Sequence, residues 1–226
     1  MYDFSKQVIL ITGANGGLGS DVTKAFLAAG ATVVETSRNI RATDFAIPGD
    51  LTNAESARQV VSAAISRFQK IDALVHVMGG FAGGQPIPET DNATWDGMMN
   101  LNLRAAFNIL RAVIPHMRAA KRGRIVAISS RQAAEPAANL SAYNSSKAAL
   151  VALIRTAALE NTDAGITANS ILPGTMNTPG NRKAMPGADP AKWVQTEHVA
   201  DLVAFLVSDA GAEITGAAIP IYGRDA

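Results

Sequence analysis

Cysteine is absent from the chain, which excludes disulfides, thiolate nucleophiles and thiolate metal sites, so any redox chemistry needs a borrowed cofactor. Histidine is nearly as scarce. His76, His116 and His198 lie far apart with no ligand spacing, which argues against a metal site. Charge of one sign is also lacking: 20 basic and 19 acidic residues leave a formal net charge of +1, and the basic residues are scattered, so no electrostatic footprint for nucleic acid exists. No run approaches the ~18 apolar residues of a membrane span, and regular structure is expected to begin near Lys6, leaving no room for a signal peptide. No repeat, low-complexity linker or second apolar core divides the 226 residues. We therefore expect one cytoplasmic domain over residues 1–226.

Against these absences stands a strong alternation of short apolar runs and amphipathic segments. Residues 7–12, QVILIT, read as a strand buried on both faces. TGANGGLG (residues 12–19) and a helical pattern closed by Gly30 follow it. Strand, glycine turn and helix in this order suit a diphosphate. Gly13, Gly17 and Gly19 let the backbone turn tightly and bring N–H groups close, and the helix N-terminus attracts the anion. The second strand, ATVVETS, ends at Ser37 and Arg38, where such a site meets the adenosine ribose. Ser37 does not repel a 2′-phosphate and Arg38 is able to bind one, which favours NADP(H), with NAD(H) as the alternative. Glu35 shares the facing of Ser37 and complicates that choice.

The dozen residues between Arg38 and Asp50 are too few for a full crossover helix, so an abbreviated loop is expected there. FAIPGDLT reads as a third strand with Asp50 and Leu51 at its end, placed to flank an adenine. An amphipathic helix and the strand IDALVHVMGG follow. Next come a Gly/Pro-rich loop and a long helix, WDGMMNLNLRAAFNILRAVIPHMRAAK, with Asn102 an unexpected amide among apolar neighbours. RIVAIS ends in Ser130, and in the helix after Leu140 the i, i+4 pair Tyr143 and Lys147 shares one face. An ammonium beside a phenol favours the phenolate and lowers its pKa from ~10. GITANSILPG is a sixth strand, residues 175–196 form a Gly/Pro-rich lid, and AAIPIYG is the last strand. The predicted fold is a Rossmann-like, doubly wound parallel sheet of about seven strands with helices on both faces.

TGANGGLG, Ser130, Tyr143-x3-Lys147 and the NSILPG turn, in this order, resemble the short-chain dehydrogenase/reductase family over nearly the full chain. The resemblance implies the strand order 3-2-1-4-5-6-7, Tyr143 as acid/base, Lys147 on the nicotinamide ribose, Ser130 orienting substrate and Asn102 on a proton-relay water. It adds Asn15 and Leu18 in the glycine turn, Gly79, and Pro173, Gly174, Thr175 and Thr178 near the nicotinamide. Two departures stand out. HVMGG replaces the polar N-N-A-G segment of most members, keeping Gly79, and the terminal IYG replaces D-G-G.

A narrower likeness to dihydropteridine reductases lies in MGGFAGG and NTPGNRKAMPGADPAKW, and it implies Gly80, Phe81, Met176, Met185 and Trp193 against a substrate. Ser37-Arg38 departs from the acidic residue of those reductases, and Ser130 supplies a serine they lack. The expected activity is therefore NAD(P)H-dependent hydride transfer to a small carbonyl, imine-like or pterin-like substrate. The alternatives are a general ketone or quinone reductase, and a catalytically silent dinucleotide-binding sensor. The small, apolar character of the Asn102 and Tyr143 helices around much of their circumference predicts association, and the family resemblance implies that these helices pair into a homodimer or homotetramer.

Overall fold

A computed structural model describes residues 2–224. Seven parallel strands lie in the order β3-β2-β1-β4-β5-β6-β7, as expected: β1 Val8–Thr12, β2 Thr32–Ser37, β3 Ala46–Pro48, β4 Ala73–His76, β5 Gly123–Ile128, β6 Ile166–Pro173 and β7 Ala218–Ile221. Every residue of β1, β4, β5 and β6 is buried. This is why these segments read as unbroken apolar runs rather than alternating ones.

Alternate residues serve two separate cores. Leu10, Leu74, Ile125 and Ala168 pack with Val60 of α2 (Ala54–Phe68), Ile109 of α4 (Ala105–Ala120) and Leu150 of α5 (Ser141–Leu159). Ile9, Val75, Val126 and Ile171 pack with Val22 of α1 (Gly17–Ala28) and Val203 of α7 (Thr196–Val207). Each fully buried Leu, Ile or Val contributes roughly 1.5–3 kcal/mol, so the two layers fix the sheet against its helices. Chain order begins earlier than Lys6: Phe4 is buried edge-on against Phe26, with ring centroids 5.0 Å apart.

Two segments differ in detail from the sequence reading. The long helix begins at Asn92 and comes in three pieces, α3 (Asn92–Met98), a π-helical turn over Met99–Arg104, and α4. A π turn swings side chains away from the α-helical stripe, and here it drives Asn102 into the interior. The lid is also partly ordered: α6 (Pro179–Ala184) is capped by the Thr178 hydroxyl, and Met176 bridges to Val194. The loop between β2 and β3 is short and holds no helix, as the spacing required.

Candidate active site at the carboxyl edge of the sheet

The strand ends of β1, β4, β5 and β6 and the N-terminal turns of α1 and α5 meet at one edge. Gly13 adopts φ +69°, and a Cβ on it would lie 2.8 Å from Met78 N. A Cβ on Gly19 would sit 2.1 Å from the Gly13 carbonyl oxygen, so only glycine allows this turn. No side chain caps the N-terminus of α1 and no acidic residue occupies its first turn. Its backbone N–H groups are therefore left for an anion, and this donor set fits the diphosphate of a dinucleotide. Asn15 and Gly17 are exposed on the turn while Leu18 is buried beneath it.

At the end of β2, Ser37 is buried with its hydroxyl unpartnered, and Arg38 is exposed. Glu35 faces α1, where the Thr23 hydroxyl donates to it at 3.4 Å. Asp50 accepts from the Thr52 N–H and hydroxyl at 3.0 and 2.7 Å, which, with the charge of Arg38, holds its carboxyl below the usual range. Leu51 is fully buried, backbone included, and its carbonyl accepts from the Asn108 amide at 2.9 Å, so it underlies this edge instead of facing open space.

The chemical groups converge on α5. Tyr143 is half-buried, and Phe81 stands edge-on against its ring at 5.0 Å. Ser129 donates to the Lys147 carbonyl at 2.9 Å, tying the end of β5 to α5 and placing Ser130 beside the Tyr143 phenol. Lys147 is buried and donates to the Ile128 carbonyl at 3.0 Å; burial lowers its pKa to about 8. The expected lowering of the phenol pKa by Lys147 does not appear in the free chain. Burial pushes the Tyr143 phenol up, and only the neighbouring Ser130 hydroxyl opposes it.

Asn102 is fully buried. Its amide oxygen accepts from Gly80 N at 2.8 Å, and its nitrogen donates to Gly80 O and to Ser146 at 3.1 and 3.0 Å. It thereby staples the loop after β4 to α5. A Cβ on Gly79 would lie 3.0 Å from both Asn102 Oδ1 and Lys147 Nζ, so the absence of a side chain there lets the two groups approach.

The lid reaches across this edge. Thr178 rests on the glycine turn, 3.0 Å from where a Gly17 Cβ would stand, and Thr175 accepts the Val194 N–H at 2.9 Å. The turn at Pro173 and Gly174 abuts Tyr222, whose carbonyl leaves no room for a side chain at Gly174. Gly80 is half-buried, Phe81 and Met185 are exposed at 65% and 39%, and Met176 packs partly into the core. Trp193, at 4% exposure, underlies the lid instead of facing open space. A cavity of about 410 Å³ opens between Thr175 and the Arg131–Ala137 loop.

Sequence reasoning missed three features of the site. The Arg131 guanidinium lies 5.0 Å from the Tyr222 ring centroid and pairs with Glu135 at 2.7 Å. Gln132 bonds Ser130 directly. His76, set aside as a metal ligand and otherwise noted only as a departure from the family pattern, is buried with Nδ1 2.9 Å from the Thr12 hydroxyl and Nε2 unpartnered. Burial lowers the His76 pKa to about 3, with Lys147 adding to the effect. A depressed histidine binds its proton only on unfolding. It therefore costs the fold roughly 2 kcal/mol at pH 5, a cost that disappears as the pH rises through ~6.5. We expect the gap in melting temperature between pH 7 and pH 5 to narrow in His76→Asn; an unchanged gap would contradict this account.

The chain matches the short chain dehydrogenase family model over residues 7–188 and belongs to that family. It is 31% identical over 237 residues to dehydrogenase/reductase SDR family member 6 of Rattus norvegicus, with 96% of each chain covered. Its fold superimposes on a structure of ElxO with NADP bound, TM-score 0.90, 26% identity, covering 96% of this chain and 98% of that one. It likewise superimposes on 3-ketoacyl-(acyl-carrier-protein) reductase from Brucella melitensis complexed with NADH, TM-score 0.87, 27% identity, covering 97% and 98%. An oxidoreductase is the class that fold and relatives define together. Among the described residues no helix is long and apolar enough to cross a membrane, and no cluster of potential metal ligands occurs.

Proposed function

We propose that the protein is an NADPH-preferring reductase of small carbonyl or imine-like compounds, quinonoid dihydropterins, quinones and diketones among them. The observation that carries this reading is Tyr143 and Lys147 one turn apart on α5, beside Ser130 and the uncapped N-terminus of α1. When bound, the dinucleotide supplies the hydride. Gly13–Gly19 would hold its diphosphate, Asp50 the adenine, Lys147 the nicotinamide ribose, and Thr178 with the Pro173–Gly174 turn the carboxamide.

Tyr143 would give its proton to the substrate oxygen or nitrogen, the phenol supplying the proton and the dinucleotide the hydride by which a C=O becomes a CH–OH. Its raised pKa keeps the phenol protonated, ready to act as an acid at neutral pH. Ser130 orients the substrate, and Lys147, through a water placed by Asn102, would return a proton towards Tyr143. A panel of quinonoid dihydropterin, quinones and diketones, assayed with NADPH and NADH in parallel, tests the reading. No oxidation with any of them would leave a dinucleotide-binding sensor.

Arg38 and the unpartnered Ser37 hydroxyl support a site for the 2′-phosphate. Glu35 turned towards α1 removes the nearest carboxylate from the tip of β2. The KM for NADPH is expected to be at least about tenfold below that for NADH, equal to ~1.4 kcal/mol, and the gap should shrink as salt screens the exposed guanidinium. Ser37→Asp combined with Arg38→Val should reverse the preference. Native preference for NADH would reassign the site to other residues such as Arg41.

Phe107 on α4 and Leu159 at the end of α5 are exposed at 45% and 80%, which supports pairing of these helices between copies. Sedimentation as a dimer or tetramer at micromolar concentration is the expected outcome, and a monomer would refute it.

A further inference from the structure

The cavity of about 410 Å³ beside the Arg131–Ala137 loop lies within the size range of small-molecule sites. Among the described residues its charged lining is one cation and one anion, Arg131 and Glu135, joined at 2.7 Å from Nε to Oε2. The two are not equally held. The Arg131 guanidinium lies over the Tyr222 ring, 5.0 Å from its centroid, and the Arg131 side chain is 26% exposed against 51% for Glu135. The ring beneath it is itself fixed. Gly174 N donates to the Ile221 carbonyl at 2.9 Å and Arg224 N to the Lys192 carbonyl at 2.8 Å, which pins Tyr222 from both sides. Tyr222 stands in the terminal IYG, where D-G-G would place a glycine and give the guanidinium no ring to lie on.

A guanidinium is a rigid planar fork that takes a carboxylate through two parallel N–H bonds, and a stacked one keeps that geometry when its counter-ion changes. Glu135 is the loosely held partner. An ion pair open to solvent contributes little, so the Glu135 carboxylate turns out to water at small cost. From this arrangement we infer that Arg131 is a specificity-determining residue: an incoming carboxylate takes the place of Glu135, and the site selects carbonyl compounds that carry a carboxylate over the corresponding esters. Arg131 follows Ser130 directly in the chain, so the acid group docks in the cavity while the carbonyl lies between Ser130 and Tyr143. The carboxylate itself is unchanged by the reduction. This selection rests on the reductase reading above, because it concerns the same site.

Two measurements test it. First, 3-oxobutanoate, 4-oxopentanoate and 5-oxohexanoate are each compared with their methyl esters as substrates with NADPH. In the wild type at least one acid should exceed its ester in kcat/KM by about tenfold or more. Arg131→Met should lower that acid-to-ester ratio by about tenfold or more, and Glu135→Gln, which removes the competing carboxylate, should raise it by about threefold. Esters that match or exceed the acids throughout, a ratio that survives Arg131→Met, or a ratio that falls in Glu135→Gln overturns the inference.

Second, calorimetric titration of the same acids and esters into the free and the NADP+-loaded protein follows binding where no reduction can occur. The favoured acid should bind about tenfold more tightly than its ester, and Arg131→Met should abolish the difference. Equal dissociation constants for every pair, or a difference that persists in Arg131→Met, overturns the inference even where no acid is consumed. An acid that binds through Arg131 and is not reduced supports the carboxylate site and counts against the reductase reading instead.

Discussion

Tyr143→Phe should lower kcat by about 10³-fold, within the 10²–10⁴ range typical of a lost general acid, while the dissociation constant for NADPH changes by less than about twofold. The asymmetry follows from what the substitution removes. Phenylalanine keeps the ring that packs edge-on against Phe81, so α5 and the loop after β4 hold their positions. Only the hydroxyl beside Ser130 is lost, and with it the proton. Single-turnover kinetics separate this from a binding defect. A variant retaining a tenth or more of the wild-type kcat would remove Tyr143 from the chemistry. The rate of reduction should also stay flat through neutral pH and begin to fall near pH 8, where the Lys147 ammonium loses its proton, because burial raises the Tyr143 pKa and the phenol itself is still in its acid form there.

Why some of this site is visible in the sequence and some is not comes down to how far apart its partners lie along the chain. The glycine turn is local: Gly13, Gly17 and Gly19 fall within one turn between a strand and a helix, and their spacing alone dictates a backbone that a side chain would obstruct. Tyr143 and Lys147 are equally local, one helical turn apart. The apolar runs marked the strands, and the alternation of β and α made the sheet parallel and doubly wound, while the strand order came with the family resemblance.

Asn102 was visible as an amide out of place, but its partners Gly80 and Ser146 are 22 and 44 positions away, so its work as a staple was not. His76 pairs with Thr12 across 64 positions. The direction of the pKa shift at Tyr143 was misjudged for a related reason. Helical spacing puts an ammonium one turn away, but it does not reveal that Lys147 points its charge at the Ile128 carbonyl while the phenol is being dehydrated.

Lys147→Met is expected to abolish useful turnover and yet leave the fold at least as stable as the wild type at pH 7. Burial lowers the Lys147 pKa from 10.5 to about 8. At neutral pH the side chain is therefore an ammonium held where the neutral amine is favoured, a strain of roughly 3 kcal/mol by the linkage of proton binding to folding. Because the unfolded chain holds this proton more tightly between pH 8 and 10.5, that strain is full below pH 8 and fades as the pH rises. Methionine fills the same channel without charge, and its gain is offset in part by the Ile128 carbonyl losing its donor, about 1–3 kcal/mol. Melting curves should show the variant matching or exceeding the wild type at pH 7, with the wild type gaining on it towards pH 9. At the same time kcat/KM should fall by about 10²-fold or more and NADPH should bind more weakly, because one ammonium is proposed to serve both the ribose and the path that returns a proton to Tyr143. A variant that melts several degrees lower at pH 7 would show that the ammonium stabilises this fold, and the buried charge would then need a partner that neither Ile128 nor Asn102 supplies.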